Sequence, residues 1–214
     1  MEIKTLYDDR HITVCVKPAG IVSEEGGMPE LLAERLGGSF YCVHRLDKPV
    51  GGVMVYAKTA KAAAGLSAQM AERSFEKLYL ALAPDVLEAA EGVMEDLLFR
   101  DRSKNKSFVV KRLRQGVKKA KLEYRRLASK NGLALLLIRL HTGRSHQIRC
   151  QLSSRRAPIV GDGRYGSAQR LDEIALWSYS LAFSHPASGK AMSFTLPPEG
   201  GLWAGFAEEI AAQS

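Results

Sequence analysis

The sequence is poor in the residues from which disulfide-stapled, metal-bound and membrane-spanning proteins are built. Three cysteines, Cys15, Cys42 and Cys150, are scattered along 214 residues. They are too few and too far apart for a disulfide framework or a Cys-x-x-Cys zinc site, so reduced thiols packed as small hydrophobes are expected. The histidines at 11, 44, 141, 146 and 185 show no ligand spacing such as His-x-x-x-His with a carboxylate partner. No apolar run reaches the roughly 18 residues that a bilayer-crossing helix needs. The opening Met1-Glu2-Ile3-Lys4-Thr5 is acidic and basic in turn, unlike a signal peptide or an amphipathic transit peptide. Internal repeats, low-complexity tracts and linkers are lacking too. A cytoplasmic, monomeric globular protein without metal or membrane is therefore expected.

At 46% hydrophobic and 25% charged residues, the chain can bury a full core, and one domain over residues 1–214 is expected. The charge is unevenly placed. Between Arg100 and Arg126 stand twelve lysines and arginines against two acids, +10 in a chain whose net charge is +8. A solvated, mobile basic loop is the plain explanation. A basic block inside a folded chain is better explained as a phosphate-binding surface whose affinity comes from counterion release. Such a patch implies a polyanion without saying which.

Local patterns give the elements. Ile12, Val14 and Val16 alternate into the turn Pro18-Ala19-Gly20. Pro29 opens a short helix to Leu36, stopped by Gly37-Gly38. Val53 to Ala57 is an apolar run, the pattern of a strand buried on both faces. Thr59 caps a helix to about Arg73. Strands are expected over residues 75–83, over 93–99 and 108–111 beside the basic loop, and over 122–128 and 133–140 around the hairpin signal Asn131-Gly132. Ser145 is a candidate cap for a helix through Ser153. Glycines 161, 163 and 166 mark an irregular loop. Strands near 176–183 and 191–196 and an amphipathic helix from Trp203 to Ala211 complete an α+β chain on a mainly antiparallel sheet.

Three clusters carry chemistry. In Val43-His44-Arg45-Leu46-Asp47, before Pro49 and Gly51-Gly52, a loop presents a carboxylate at the lip of a buried strand. A turn-capping aspartate paired with Arg45 or Lys48 is the ordinary alternative. In Thr142 to Arg149, Ile148 is expected to face the core and Arg149 to hold a carboxylate from elsewhere through its bidentate fork. A phosphate-binding role suits Arg144. In Lys77-Leu78-Tyr79-Leu80-Ala81, the leucines make the core face, so Tyr79 points the other way, where a second layer or a ligand must receive it. A tyrosine so placed can stack on a nucleobase.

The segment HRLDKPVGGVMVYAK resembles the signature of the RluA-type pseudouridine synthases: His-Arg-Leu-Asp, two residues, Thr-Ser-Gly, then an apolar strand. Further segments match in order: Val16 to Gly20, Lys77 to Ala81, Gly143 to Arg149, Gly161 to Gly166, and Ser184-His185-Pro186. The resemblance spans residues 12 to about 197. It implies a pseudouridine synthase-like α+β fold and the isomerisation of uridines in ribosomal or transfer RNA, without metal or organic cofactor. By the same resemblance Asp47 is the catalytic aspartate, Tyr79 the residue stacking on the target base, and Arg149 the partner of Asp47. Arg45 lies beside the RNA and fills the gap left by the flipped nucleotide. His44, Lys77 and Arg144 complete the substrate-binding set. Val50-Gly51 stands where Thr-Ser is usual, so two small hydroxyls that could hold the loop are missing. The chain has no room for the N-terminal RNA-binding domain of many relatives, which leaves recognition to residues 100–126. Two other readings remain: an inactive RNA-binding protein on the same fold, and a metal-dependent nuclease using His44, Asp47, His141 and His146.

Overall fold

The computed structural model describes residues 3–213; Met1 and Glu2, the start of the stretch read above for targeting signals, and Ser214 lie outside them. In chain order the elements are β1 (Thr5–Asp8), β2 (Ile12–Lys17), α1 (Met28–Leu36), β3 (Tyr41–Cys42), β4 (Gly51–Ala57), α2 (Ala60–Glu72) and β5 (Glu76–Pro84). They continue with β6 (Glu91–Asp101), β7 (Lys106–Val110), β8 (Val117–Lys130), β9 (Leu133–Leu140), α3 (Gln147–Ser153), β10 (Leu176–Ser184), β11 (Ala191–Thr195) and α4 (Ala207–Ala211). This is the expected α+β class, with strands paired mostly antiparallel. The chain divides into two compact units, Met1–Lys77 with Trp177–Pro198, and Leu78–Leu176 with Glu199–Ser214.

In the first unit β4 pairs antiparallel with β2 and parallel with β10, while β1 flanks β2 and β11 flanks β10. Every residue of β4 is buried, as its unbroken apolar run requires. Val53, Val55 and Ala57 pack with Ile12, Val14, Leu66, Leu181 and Phe183, and Phe75 stacks on Phe183 with ring centroids 5.1 Å apart. Both helices obey their local signals. Glu30 accepts hydrogen bonds from the Gly26 and Gly27 N–H groups at the start of α1, and Gly37 ends it at φ 71°. Thr59 Oγ1 accepts from Ala62 N–H at 3.1 Å to cap α2.

The second unit is a run of antiparallel pairs, β5 with β9, β9 with β8, β8 with β6, and β6 with β7. Asn131 and Gly132 both adopt positive φ, 52° and 75°, which gives the tight turn between β8 and β9. The helix α3 packs on β6 and β7, where Leu98, Ala120, Cys150 and Tyr165 form a small core.

Three local expectations need correction. The strands run further into the basic segment than expected: most of residues 100–126 belongs to β6, β7 and β8, with turns at 102–105 and 111–116. Ser145 does not cap α3. Residues Arg144 to Gln147 form a turn closed by Gln147 N–H donating to Arg144 O at 3.0 Å, so the helix starts from His146, at φ 53°. The closing helix begins as a 3₁₀ segment, Gly201–Phe206, and is α-helical only from Ala207, after two glycines at positive φ.

Candidate active site

Asp47 sits half-buried in the connection between β3 and β4, and the turn after β2 fastens the backbone on both sides of it. Ser23, 2% exposed, accepts from Leu46 N–H at 3.0 Å and donates to Leu46 O at 2.8 Å. Ser23 is itself held, since Tyr56 donates its hydroxyl proton to Ser23 O at 2.8 Å. Asp47 O accepts from Val50 N–H at 2.9 Å, and Lys48 O from Gly20 N–H at 2.8 Å. The fully buried Lys17 places its ammonium among three carbonyls, Ile21 O at 2.7 Å, Pro18 O at 2.8 Å and Lys48 O at 3.3 Å. Burial pushes Lys17 down to about 8, and the negative charge of Asp47 opposes the shift.

The strand after Asp47 explains the departure from Thr-Ser. Val50 is 2% exposed and belongs to the core. A Cβ at Gly51 would lie 2.5 Å from Cζ3 and 3.0 Å from Cε3 of Trp177, so the indole already fills the place of a serine side chain. Gly52 is needed for a different reason: at φ 124°, a Cβ would meet the Ser178 backbone, 2.5 Å from N and 2.8 Å from Cα.

The other expected residues of this unit divide between interior and surface. His44 turns inward, 8% exposed, and its Nε2 accepts from Val55 N–H at 3.2 Å, which puts the ring proton on Nδ1. That Nδ1–H has no hydrogen-bond partner among the described residues. Burial first, and the charge of Lys77 second, push His44 down to about 3. The ammonium of Lys77 lies 5.9 Å over the Phe75 ring, and burial lowers its pKa. Arg45 is exposed and pairs with Glu24, Nη1 to Oε2 at 3.0 Å, so its ion pair is with the turn rather than with the neighbouring Asp47.

In the second unit Tyr79 lies on β5, 5% exposed, opposite Ile138 of β9. Both faces of β5 are buried from Tyr79 to Ala83. Arg149, 4% exposed on α3, donates from Nε to Asp162 Oδ2 at 2.7 Å and from Nη2 to Asp162 Oδ1 at 2.9 Å. Its guanidinium carbon lies 5.1 Å over the Tyr165 ring. The sequence alone gave Asp162 no role, although its motif was visible; a carboxylate between two glycines, 1% exposed, is what secures Arg149 here. Gln147 organises the turn before α3: its Oε1 accepts from Thr142 Oγ1 and Arg144 N–H, and its Nε2 donates to Lys121 O. Arg144 is exposed and donates from Nε to Lys119 O at 3.0 Å.

The turns at 102–105 and 111–116 present Arg102, Lys104, Lys111 and Arg112 to solvent, and β8 presents Lys118 and Lys119. Others are engaged within the protein: Lys121 pairs with Glu95 at 2.9 Å and Arg126 with Asp85 at 2.6 Å. Among the described residues, no three or more His, Cys, Asp or Glu side chains gather as a metal site requires, and no helix is long and apolar enough to cross a membrane.

The family model described as RNA pseudouridylate synthase matches residues 11–154, which include His44 to Asp47, Lys77, Tyr79, Arg144 and Arg149. An uncharacterized RNA pseudouridine synthase of Haemophilus influenzae is 30% identical over 210 residues, covering 95% of this chain and 91% of the relative. One of Bacillus subtilis is 30% identical over 210 residues, covering 92% and 68%. The ribosomal large subunit pseudouridine synthase D of Nitrosomonas europaea is 32% identical over 219 residues; 91% of this chain is covered but only 62% of that protein, so the chain spans less than two thirds of its length. Among solved structures, human RNA pseudouridylate synthase domain containing 4 shares the fold, with a TM-score of 0.76 at 22% identity over 97% of this chain and 92% of that one. The chain belongs to the RNA pseudouridylate synthase family.

Proposed function

We propose that this chain isomerises specific uridines of structured ribosomal or transfer RNA to pseudouridine, with Asp47 as the catalytic carboxylate. The family match across residues 11–154 carries the reading, because the segment His44-Arg45-Leu46-Asp47 falls inside it. The reaction breaks the bond between ribose and uracil N1, turns the base and rejoins it through C5. A base in that reaction must leave the stack, which calls for a pocket with an aromatic platform, the role given to Tyr79. Asp47 acts either as nucleophile on the sugar or base, or as the base that removes a sugar proton. Both routes need an ionised carboxylate, which Arg149 as its partner favours. Asp162 holds Arg149 through a bidentate pair.

Arg45 takes the space left by the flipped nucleotide. Lys77 and Arg144 meet RNA through their charge, and His44 contributes from beneath the reactive loop, where its Nε2 accepts from Val55 N–H. Residues 1–214 act as one monomeric catalytic domain in the cytoplasm, without metal or organic cofactor, with the basic strands at 100–126 as the RNA-contacting surface. Mapping pseudouridine in total RNA with and without this gene tests the reading. Loss of defined sites names the substrate, and loss of none supports the inactive RNA-binding alternative.

A further inference from the structure

The segment carrying Asp47 has no unengaged backbone carbonyl between Leu46 and Lys48. Leu46 O accepts from Ser23, Asp47 O from Val50 N–H, and Lys48 O from both Gly20 N–H and Lys17. Three of these donors come from one short stretch, residues 17–23, which precedes the reactive loop by more than twenty positions. Ser23 differs from the rest in making a reciprocal pair: one hydroxyl accepts from the N–H and donates to the carbonyl of the same residue, Leu46. This two-way contact fixes the orientation of the peptide groups on either side of Leu46, and with it the direction in which the next side chain leaves the backbone. At 2% exposure the pair is shielded from competing water.

The loop needs such support from outside. The two positions where small hydroxyls are usual hold Val50, packed in the core, and Gly51, whose side-chain space is filled by Trp177. Neither residue has a side-chain polar group with which to tie the turn.

We propose that Ser23 is a positioning residue for Asp47, a side-chain clamp that orients the catalytic carboxylate in place of the absent loop hydroxyls. The proposal rests on the reading of Asp47 as the catalytic group. Displacing a reacting group by about 1 Å can cost on the order of a hundredfold in rate without affecting binding elsewhere. Ser23→Ala is therefore expected to lower kcat by about 10- to 100-fold on an RNA substrate, with KM and RNA affinity within about twofold of the parent. The Leu46 amide, whose acceptor is Ser23 Oγ, loses hydrogen-exchange protection in the same variant, and Ser23→Thr, which keeps the hydroxyl, restores most of the rate.

The experiment measures kcat, KM, RNA affinity and exchange at Leu46 for Ser23→Ala, Ser23→Thr and Ser23→Cys, with Asp47→Ala alongside. If Ser23→Ala does not fold, Ser23→Cys, close in size and a poor hydrogen-bond partner, takes its place. An unchanged kcat in a folded Ser23→Ala or Ser23→Cys protein, beside an inactive Asp47→Ala, overturns the clamp while leaving the role of Asp47 intact. Activity in Asp47→Ala overturns the underlying reading whatever Ser23 does. Equal losses in kcat and RNA affinity also overturn the proposal, because they indicate a general structural role.

Discussion

Replacing Gly51 with serine, the residue usual at that place in the family pattern, should damage this protein. The Cβ of the new residue would lie 2.5 Å from Cζ3 and 3.0 Å from Cε3 of Trp177. The indole is not a flexible tip that can swing aside. Its Nε1–H donates to Leu196 O at 2.8 Å, and Trp177 lies directly across from Gly51 in the parallel register of β4 and β10. Overpacking of this kind costs about 1–3 kcal/mol, and a displaced indole loses a hydrogen bond worth about 1 kcal/mol more. The sum, about 2–4 kcal/mol, corresponds in a chain of this size to a fall of roughly 5–15 °C in Tm. Urea and thermal unfolding of Gly51→Ser, Trp177→Leu and the double variant form the assay. In the Trp177→Leu background the cost of the serine should shrink by about 1 kcal/mol or more, the coupling expected of touching side chains. A Gly51→Ser protein within about 0.5 kcal/mol of the parent, with no coupling to Trp177, would refute the steric argument.

Other expectations follow from the same geometry. His44 is held neutral down to about pH 3 when folded but takes a proton near 6.5, the usual value for an imidazole, when unfolded. Its stabilising contribution is therefore complete above pH 6.5 and lost as the pH falls towards 3. In His44→Gln, whose amide oxygen can still accept from Val55 N–H, the stability gap to the parent should narrow from pH 7.5 to about 4.5 in urea titrations; a gap that widens on acidification contradicts the assignment. Neutralising the exposed Lys118 and Lys119 should flatten the salt dependence of RNA binding by roughly 1.4–1.8 in log–log slope. Lys121, already paired with Glu95, should contribute less; an unchanged slope for the Lys118, Lys119 variant removes this face of β8 from the interface. Tyr79→Phe should keep the ring-dependent part of turnover and Tyr79→Ala lose it, since stacking on a base is worth about 1–3 kcal/mol. Equal and negligible losses in both end the stacking role.

The difference between what could and could not be read in the sequence lies in the range of the signals. Thr59, Pro29, Gly37 and Asn131-Gly132 act on the backbone within a few residues, and the elements they bound form as expected. Asp47 was visible because its neighbours are distinctive and the apolar run of β4 follows at once. Ser23 was not, because a serine in a turn has no local signature and its partner Leu46 is 23 positions away. Asp162 lay in a visible motif, yet its pairing with Arg149 depends on the path of the chain after α3. The strands extend further into the basic segment than expected because charge hides alternation. Along β8 the buried positions are Val117, Ala120 and Leu122, with Lys118 and Lys119 exposed between the first two. His44 was expected at the substrate; that its Nε2 also accepts from Val55 N–H of β4 could not be read, because only the fold of the loop onto Val55 creates that contact.

The most direct test of the account is turnover by purified Asp47→Asn and Asp47→Ala proteins on an RNA that the parent modifies. Both should form no pseudouridine while unfolding like the parent and binding RNA with similar affinity. Pseudouridine formation by the Asp47→Ala protein would contradict the central assignment.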